Sequence, residues 1–231
     1  MTFHEHPDFE TLAATVAATL ARTCRQSLDD RGEASLALAG GSTPFPVYER
    51  LANADLDWSK VTLMPGDERW VRDDDPASNL AAIRRTFDDV PARFGRLVPP
   101  RPGPEPTLED ARATLAAVAW PLDACVLGMG QDAHFASLFP GAPGLAEALD
   151  PDGSERLTVI HPDPLPEEAP YPRVSLTLAA IAASRSVLLL LRGEGKRAVL
   201  KTASREGDAL RHPVAALLAL DHPDFDIHWS P

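Results

Sequence analysis

Hydrophobic residues recur along this chain with two spacings. Over residues 9–29, 76–87 and 108–118 they recur at helical spacing, which predicts amphipathic helices. Short, continuous apolar runs indicate strands instead, and they occur at 35–39, 61–65, 123–130, 156–160 and 186–193. We also expect helices to begin near 43–44, directly after Gly193 and near 214, and the tail from 225 onwards to form an edge strand.

The two patterns alternate along the chain. This order predicts the α/β class, with a doubly wound, mostly parallel sheet and helices on both faces, as in Rossmann-like folds. Proline-rich segments at 99–106 and 162–172 are expected to be loops. Because no repeat or linker divides the chain, residues 1–231 are expected to form a single α/β domain.

Glycines and polar residues follow four of the predicted strands. In doubly wound sheets a ligand binds beyond the carboxyl ends of the strands. The segments at those ends are Gly40–Thr43, Gly66–Arg69, Gly128–His134 and Gly193–Lys196. We therefore expect these four segments to meet at one crevice.

The first segment, Gly40-Gly41-Ser42-Thr43, stands between a strand and a helix. Glycines admit a ligand close to the backbone, and N–H groups at a helix start favour an anion such as phosphate. Ser42 and Thr43 add hydroxyl donors. The sequence is not a Walker loop, a dinucleotide fingerprint or a nucleophile elbow. An ordinary strand–helix turn with a cap is the alternative interpretation.

Charged residues in the other segments are candidates for the rest of an anion site. Arg69, in Asp67-Glu68-Arg69, offers a fork of donors, although a solvated turn with a local ion pair has the same sequence. Lys196 lies in the first turn of a helix, where the dipole disfavours a cation unless an anion binds there. Arg173 follows Pro-Tyr-Pro and is either a similar anion ligand or a surface charge.

Asp132 and His134 follow the Gly-Met-Gly end of the 123–130 strand. If a helix begins here, its dipole favours the neutral imidazole that a general base needs. Asp132 would then orient the ring or transfer a proton itself. A capping aspartate beside an incidental histidine is the alternative. No metal site is expected, although His4 and His6 with Asp221-His222 offer ligands for an incidental ion.

Composition narrows the class of ligand. The chain has 34 acidic and 22 basic residues, and its formal charge of −12 repels nucleic acid and anionic membranes. An anionic ligand therefore needs local cations and N–H groups. The two cysteines have no metal-site spacing, the N-terminus is unlike a signal peptide, and no apolar run is long enough to span a membrane. We expect a cytoplasmic protein with reduced thiols.

Taken together, five blocks resemble the 6-phosphogluconolactonase family. They are GGSTP at 40–44, DERWV at 67–71 with SN at 78–79, LGMGQDAHFASLFP at 127–140, RVSLTL at 173–178 and GEGK at 193–196. Their order and spacing cover residues 35–205 and imply the NagB-type version of the Rossmann-like fold. Ala133 and Phe135 replace the glycine and threonine of that pattern. Alanine at a positive φ would be strained by about 1 kcal/mol or more.

The resemblance implies hydrolysis of 6-phospho-D-glucono-1,5-lactone to 6-phospho-D-gluconate in the oxidative pentose phosphate pathway. A lactone is an activated ester, so no metal or organic cofactor is expected. His134 would activate water and Asp132 would orient it. The residues expected to meet the substrate and its phosphate are Gly40, Gly41, Ser42, Thr43, Asp67, Arg69, Arg173 and Lys196. The expected partner is a sugar-phosphate lactone, and the expected assembly is a monomer or a small homo-oligomer.

Two other activities stay open on these residues. The related glucosamine-6-phosphate deaminases resemble this chain in their Gly-Gly-Ser and Asp-x-His segments, but an Ile-Ala-Phe-Asn-Glu-Pro-like sequence is expected after their histidine. Here ASLFP follows, which favours the lactonase. Ala133 and Phe135 are also compatible with a sugar-phosphate binding module that has no turnover.

Overall fold

A computed structural model describes residues 1–115, 118–162 and 170–231. The strands are β1 (Thr2–Glu5), β2 (Ala34–Leu38), β3 (Val61–Pro65), β4 (Asp67–Arg69), β5 (Arg93–Phe94), β6 (Ala124–Gly128), β7 (Leu157–Ile160), β8 (Arg173–Leu176), β9 (Val187–Arg192) and β10 (Phe225–Ser230). The helices are α1 (Phe9–Arg31), α2 (Phe45–Ala52), α3 (Asn79–Thr86), α4 (Leu108–Leu115), α5 (Leu145–Ala148), α6 (Leu178–Ala182), α7 (Glu194–Glu206) and α8 (Val214–Leu218).

Seven of the strands in the described residues, all parallel, form the main sheet in the order β1-β10-β9-β6-β2-β3-β5. Strand β9 shows why its sequence is apolar at almost every position. Leu188 and Leu190 pack with α1 and α2 on one face, whereas Leu189 and Leu191 pack into a second core on the other. Both faces of the sheet are therefore covered, and the predicted doubly wound α/β fold is confirmed.

The chain reverses its direction of travel across the sheet at β2. From β2 it moves outward to β3 and β5, and it then returns to the other side of β2 to form β6, β9 and β10. Such a switch point leaves a crevice at the carboxyl ends of its two strands. The crevice here lies between the ends of β2 and β6, where the Gly40 and Gly128 segments begin.

A second, three-stranded antiparallel sheet has the order β4-β8-β7. Residues 156–160 are thus a strand, as predicted, but they pair with β8 rather than joining the main sheet. The prediction of an edge strand at the C-terminus was wrong. Strand β10 lies between β9 and β1, and β1 is the edge strand. Strand β1 was not predicted, because its four residues, Thr-Phe-His-Glu, are not a continuous apolar run.

Local chemistry sets the helix boundaries. Helix α1 begins after Asp8, whose carboxylate accepts the N–H of Thr11 at 2.7 Å, and it ends at Gly32 with φ of 78°. Helix α3 begins at Asn79, later than predicted, because the Ser78 hydroxyl accepts the N–H of Ala81. Residues 163–169 of the loop predicted at 162–172 and residues 116–117 of the helix predicted at 108–118 lie outside the described residues.

Both cysteines are buried and neither forms a disulfide. Burial raises the pKa of Cys24 and of Cys125 to about 12, so both thiols stay protonated and unreactive at neutral pH. Within the described parts of the chain, no helix combines the length and apolar character that a membrane span requires.

Candidate active site

A cavity of about 370 Å³ opens at the switch point of the main sheet. All four segments that follow predicted strands contribute to its wall, as their position at the strand ends predicts. The residues that line it are Ala39, Gly40, Gly41, Ser42, Thr43, Pro44, Asp67, Arg69, Asn79, Gly128, Met129, Gly130, His134, Ala136 and Lys196. The cavity is large enough for a small metabolite.

His134 is held by the carboxylate of Asp132. Its Nδ1 lies 2.5 Å from Asp132 Oδ1, and its backbone N–H donates to the same oxygen at 3.3 Å. The ring also packs against Phe139, with centroids 4.3 Å apart. When Nδ1–H donates to the carboxylate, the lone pair of Nε2 is available as a base. The dyad therefore presents an oriented imidazole to the cavity.

The protonation of Asp132 reflects two opposing effects. Burial alone would raise its pKa, but the hydrogen bonds and the charge of His134 outweigh burial and lower the pKa below its usual value. Asp132 is thus ionised at neutral pH and can stabilise a positive charge on the imidazole.

No helix begins near His134, so the expectation of a helix dipole acting on the ring was wrong. Residues 131–143, all of which are described, contain turns, and α5 follows only at Leu145. The turn closes when Gly130 donates its N–H to the His134 carbonyl at 2.8 Å. Two residues after β6 have left-handed backbone, Ala133 with φ of 67° and Ala136 with φ of 47°. These angles are incompatible with a continuous helix.

The strain predicted at Ala133 is therefore present. Left-handed backbone costs an alanine about 1–2 kcal/mol. Its methyl group is fully buried in the second core, and burial of one such group returns about 0.8 kcal/mol. A glycine would relieve the strain but lose the methyl contact and add chain entropy of about 0.5–1 kcal/mol. These opposing contributions explain how alanine is tolerated at this position.

Phe135 is buried and does not line the cavity. Its side chain is in the same core as Leu138 and Met129. The bulky residue at this position therefore fills the protein interior and leaves the space in front of His134 open.

Arg69 is fixed by the start of α3. Its Nη1 donates to the carbonyl of Ala77 at 3.0 Å and to Asn79 Oδ1, and Asn79 Nδ2 donates to the carbonyl of Asp67 at 2.7 Å. Asp67 in turn accepts a 2.5 Å hydrogen bond from the Ser137 hydroxyl. A rigid cation and a carboxylate thus lie side by side on the cavity wall.

Lys196 provides a second cation in the first turn of α7. This helix begins after Gly193, which has φ of 89° and provides no side-chain cap. Burial lowers the pKa of Lys196, and no nearby carboxylate among the described residues offsets this effect. An anion in the cavity would stabilise both the ammonium group and the uncapped N–H groups of the helix.

The Gly40–Thr43 turn offers further donors. Gly41 has φ of 85°, a conformation that glycine adopts without strain. The backbone N–H groups of Gly41, Ser42 and Thr43 donate to no other described residue. A side chain at Gly40 would collide with Asn79, so this glycine keeps the loop in contact with the residue that fixes Arg69.

A profile of the family described as glucosamine-6-phosphate isomerases/6-phosphogluconolactonase matches residues 7–229. The chain belongs to this family. It is 36% identical to a 6-phosphogluconolactonase of Pseudomonas putida, over 99% of this chain and 92% of the relative, and 37% identical to one of Pseudomonas aeruginosa, over 95% and 90%.

A solved structure agrees over the whole chain. The crystal structure of a 6-phosphogluconolactonase from Shewanella baltica matches with a TM-score of 0.91 and 32% identity, and the match covers 100% of this chain and 98% of that one. The fold and family inferred from the five sequence blocks are thus both confirmed.

Two of the predicted site residues do not line the cavity. Asp132 stands behind His134 and contacts it. Arg173 is buried on β8, opposite Arg69 in the β4–β8 register. Burial and, second, the charge of Arg69 lower the pKa of Arg173 to about 10, while Asp67 and Glu68 act in the opposite direction. Arg173 therefore remains protonated near neutral pH and adds positive charge next to Arg69, its cross-strand neighbour.

Asn79 and Ser137 were not predicted as site residues from the sequence. Asn79 belongs to the Ser-Asn pair of the family pattern, which was the available signal. Ser137 gave no separate signal, because its contact with Asp67 joins residues 70 positions apart.

Gly130 is the residue whose replacement would disturb the dyad most directly. A Cβ at this position would overlap the His134 ring and the Asp132 carboxylate. We expect Gly130→Ala to lower kcat/KM about 100-fold, because a displacement of about 1 Å in a site can have an effect of this size. The melting temperature should change little, because the displaced side chains are partly exposed. Gly103→Ala, where a Cβ has open space, is the matched control.

Proposed function

We propose that this chain hydrolyses 6-phospho-D-glucono-1,5-lactone to 6-phospho-D-gluconate, as a single unit comprising residues 1–231. The observation that carries the proposal is the cavity in which His134, oriented by Asp132, faces a wall that contains Lys196 and Arg69. A base and a cationic wall are what an anionic, activated ester requires. The 6-phosphogluconolactonase names of the relatives support the same reaction.

In this mechanism Nε2 of His134 removes a proton from water as the water oxygen attacks C1 of the lactone. The negative charge of Asp132 stabilises the imidazolium that forms. The tetrahedral intermediate then collapses, and the bond between C1 and the ring oxygen breaks. The imidazolium returns its proton to the ring oxygen, which leaves as the hydroxyl of the open-chain acid.

The oxyanion of the intermediate needs donors that are already in place. We assign this role to the N–H groups of the Gly40–Thr43 turn, since those of Gly41, Ser42 and Thr43 lie at the cavity and donate to no described residue. We assign the phosphate to Lys196 and the first turn of α7. Arg69 already donates to Ala77 and Asn79, so we infer that it contributes charge to the wall and restricts the orientation of the sugar.

The reaction is tested with lactone generated in situ, whose loss is corrected for spontaneous hydrolysis. A rate well above the spontaneous one is expected. A protein that binds the product 6-phosphogluconate but leaves the spontaneous rate unchanged would be a binding module. Release of ammonia from glucosamine 6-phosphate would instead identify a deaminase, and no release is expected.

The assignment of Lys196 predicts a loss that depends on the phosphate. A charge-assisted hydrogen bond contributes about 1.5–3 kcal/mol, so we expect Lys196→Met to lower kcat/KM for the phosphorylated lactone about 10- to 100-fold. Hydrolysis of unphosphorylated glucono-1,5-lactone, which we expect to be slower, should change less than threefold. Lys201→Met, on the exposed face of α7, is the control. Equal losses on both substrates would show that Lys196 does not bind the phosphate.

A further inference from the structure

We propose that a divalent transition-metal ion, with Zn²⁺ as the expected ion, binds to His4, Asp226 and His228 at the edge of the main sheet. These side chains belong to β1 and β10, which lie beyond β9 and are not part of the cavity wall. The inference therefore concerns a second site, and it does not depend on the proposed lactonase reaction.

Strand register brings the three side chains together. β1 and β10 are parallel, with Thr2 opposite Asp226 and His4 opposite His228. Because alternate residues of a strand share a face, Asp226 and His228 point to the same side as His4. One potential ligand atom from each residue lies within 4.8 Å of the others. His4 Nε2 and Asp226 Oδ1 are 3.1 Å apart, close to the ligand spacing of about 3.3 Å around a tetrahedral zinc ion.

His228 is the buried member of the cluster. His228 is 3% exposed, and its Nε2 is buried without a hydrogen-bond partner in the described part of the chain. Its other nitrogen, Nδ1, lies 3.0 Å from Nε2 of His6. When Nδ1–H donates to His6, the lone pair of His228 Nε2 is left for a metal. Zinc-bound histidines are usually oriented by this kind of outer hydrogen bond.

Solvent can reach the cluster from one side. The side chains of His4 and Asp226 are 39% and 27% exposed, which gives an ion an entry path. His4 Nε2 is itself buried, and the His4 ring stacks on the His228 ring with centroids 4.6 Å apart, so His4 must rotate before the three ligand atoms can meet one ion. Two imidazoles and one carboxylate suit zinc, with water as the fourth ligand. A bound metal would cross-link the short edge strand β1 to β10.

Binding is tested on the full-length chain without a histidine tag, after treatment with a chelator. We expect calorimetric titration with ZnCl₂ to give one equivalent bound, and a saturating concentration to raise the melting temperature. His4→Ala and Asp226→Asn should each weaken Zn²⁺ binding at least tenfold. Both residues are partly exposed, so these variants should fold. Lactone hydrolysis should be unchanged in His4→Ala.

Two controls separate this site from other histidines. His134→Ala removes the histidine of the cavity, and His212→Ala removes a surface histidine that pairs with Glu206 at 3.0 Å. Both variants should bind Zn²⁺ like the unmodified protein. The proposal is overturned if the chain binds no Zn²⁺, if binding persists at full strength in His4→Ala and Asp226→Asn, or if His134→Ala abolishes it.

Discussion

His134→Gln is expected to lower kcat/KM for the lactone about 10²- to 10⁴-fold, the range that a positioned general base contributes. Glutamine can occupy a similar volume and can still hydrogen-bond to Asp132, but it cannot accept a proton from water. The KM should change less than threefold, because the groups assigned to the phosphate and the oxyanion remain in place. The loss should therefore fall on kcat.

Lactone loss must be measured at several enzyme concentrations, because spontaneous hydrolysis contributes a background rate that does not depend on the enzyme. His212→Gln, at the surface pair with Glu206, is the matched control and should be fully active. Asp132→Asn keeps His134 but removes the charge that stabilises the imidazolium, so it should lose less activity than His134→Gln. If His134→Gln retained full activity with an unchanged melting temperature, another residue would have to activate the water.

The site could be anticipated from sequence wherever its residues follow a strand. Gly41, Asp67, His134 and Lys196 are distant along the chain, but all stand just beyond carboxyl ends of strands, and topology alone brings such positions together. The fold could be anticipated for a similar reason, because strands buried on both faces carry continuous apolar runs.

What could not be anticipated depends on contacts between distant segments. No local pattern indicates that Ser137 donates to Asp67, or that Arg173 lies opposite Arg69 on the neighbouring strand. Strand β1 is short and polar and is recognisable only from its pairing with β10. The turn at His134 was mistaken for a helix start because glycine and aspartate are common at both, and the φ of Ala133 distinguishes the two.

Glu68 holds two residues of the cavity wall, Arg69 and Asn79, by accepting their N–H groups. Its replacement should have the largest effect on stability. It is 3% exposed and joins β4 to the start of α3. One carboxylate oxygen accepts the N–H groups of Arg69 and Asn79, each at 2.8 Å. The other accepts the Ser78 hydroxyl at 2.9 Å and the N–H of Leu80 at 2.8 Å. All four partners are donors, so the site requires a group that only accepts.

Glu68→Gln keeps the shape but turns an NH₂ group toward two of these donors. Each buried donor left without an acceptor costs about 1–3 kcal/mol, so we expect the free energy of unfolding to fall by about 3 kcal/mol. Urea unfolding should show a lower midpoint with the same m-value. Glu49→Gln, on the exposed surface of α2, should change stability by less than about 0.5 kcal/mol.

The dependence on pH gives a second measurement on the same residue. Burial raises the pKa of Glu68, while hydrogen bonds from Leu80, Asn79, Arg69 and Ser78 act against it. A group whose native pKa is raised contributes stability at low pH that is lost as the pH rises through the native pKa. This decrease in the free energy of unfolding with rising pH should be absent in Glu68→Gln. If Glu68→Gln matched the unmodified protein at neutral pH, the native side chain would already be protonated, and one of its four donors would have to face a hydroxyl group instead of a carboxylate oxygen.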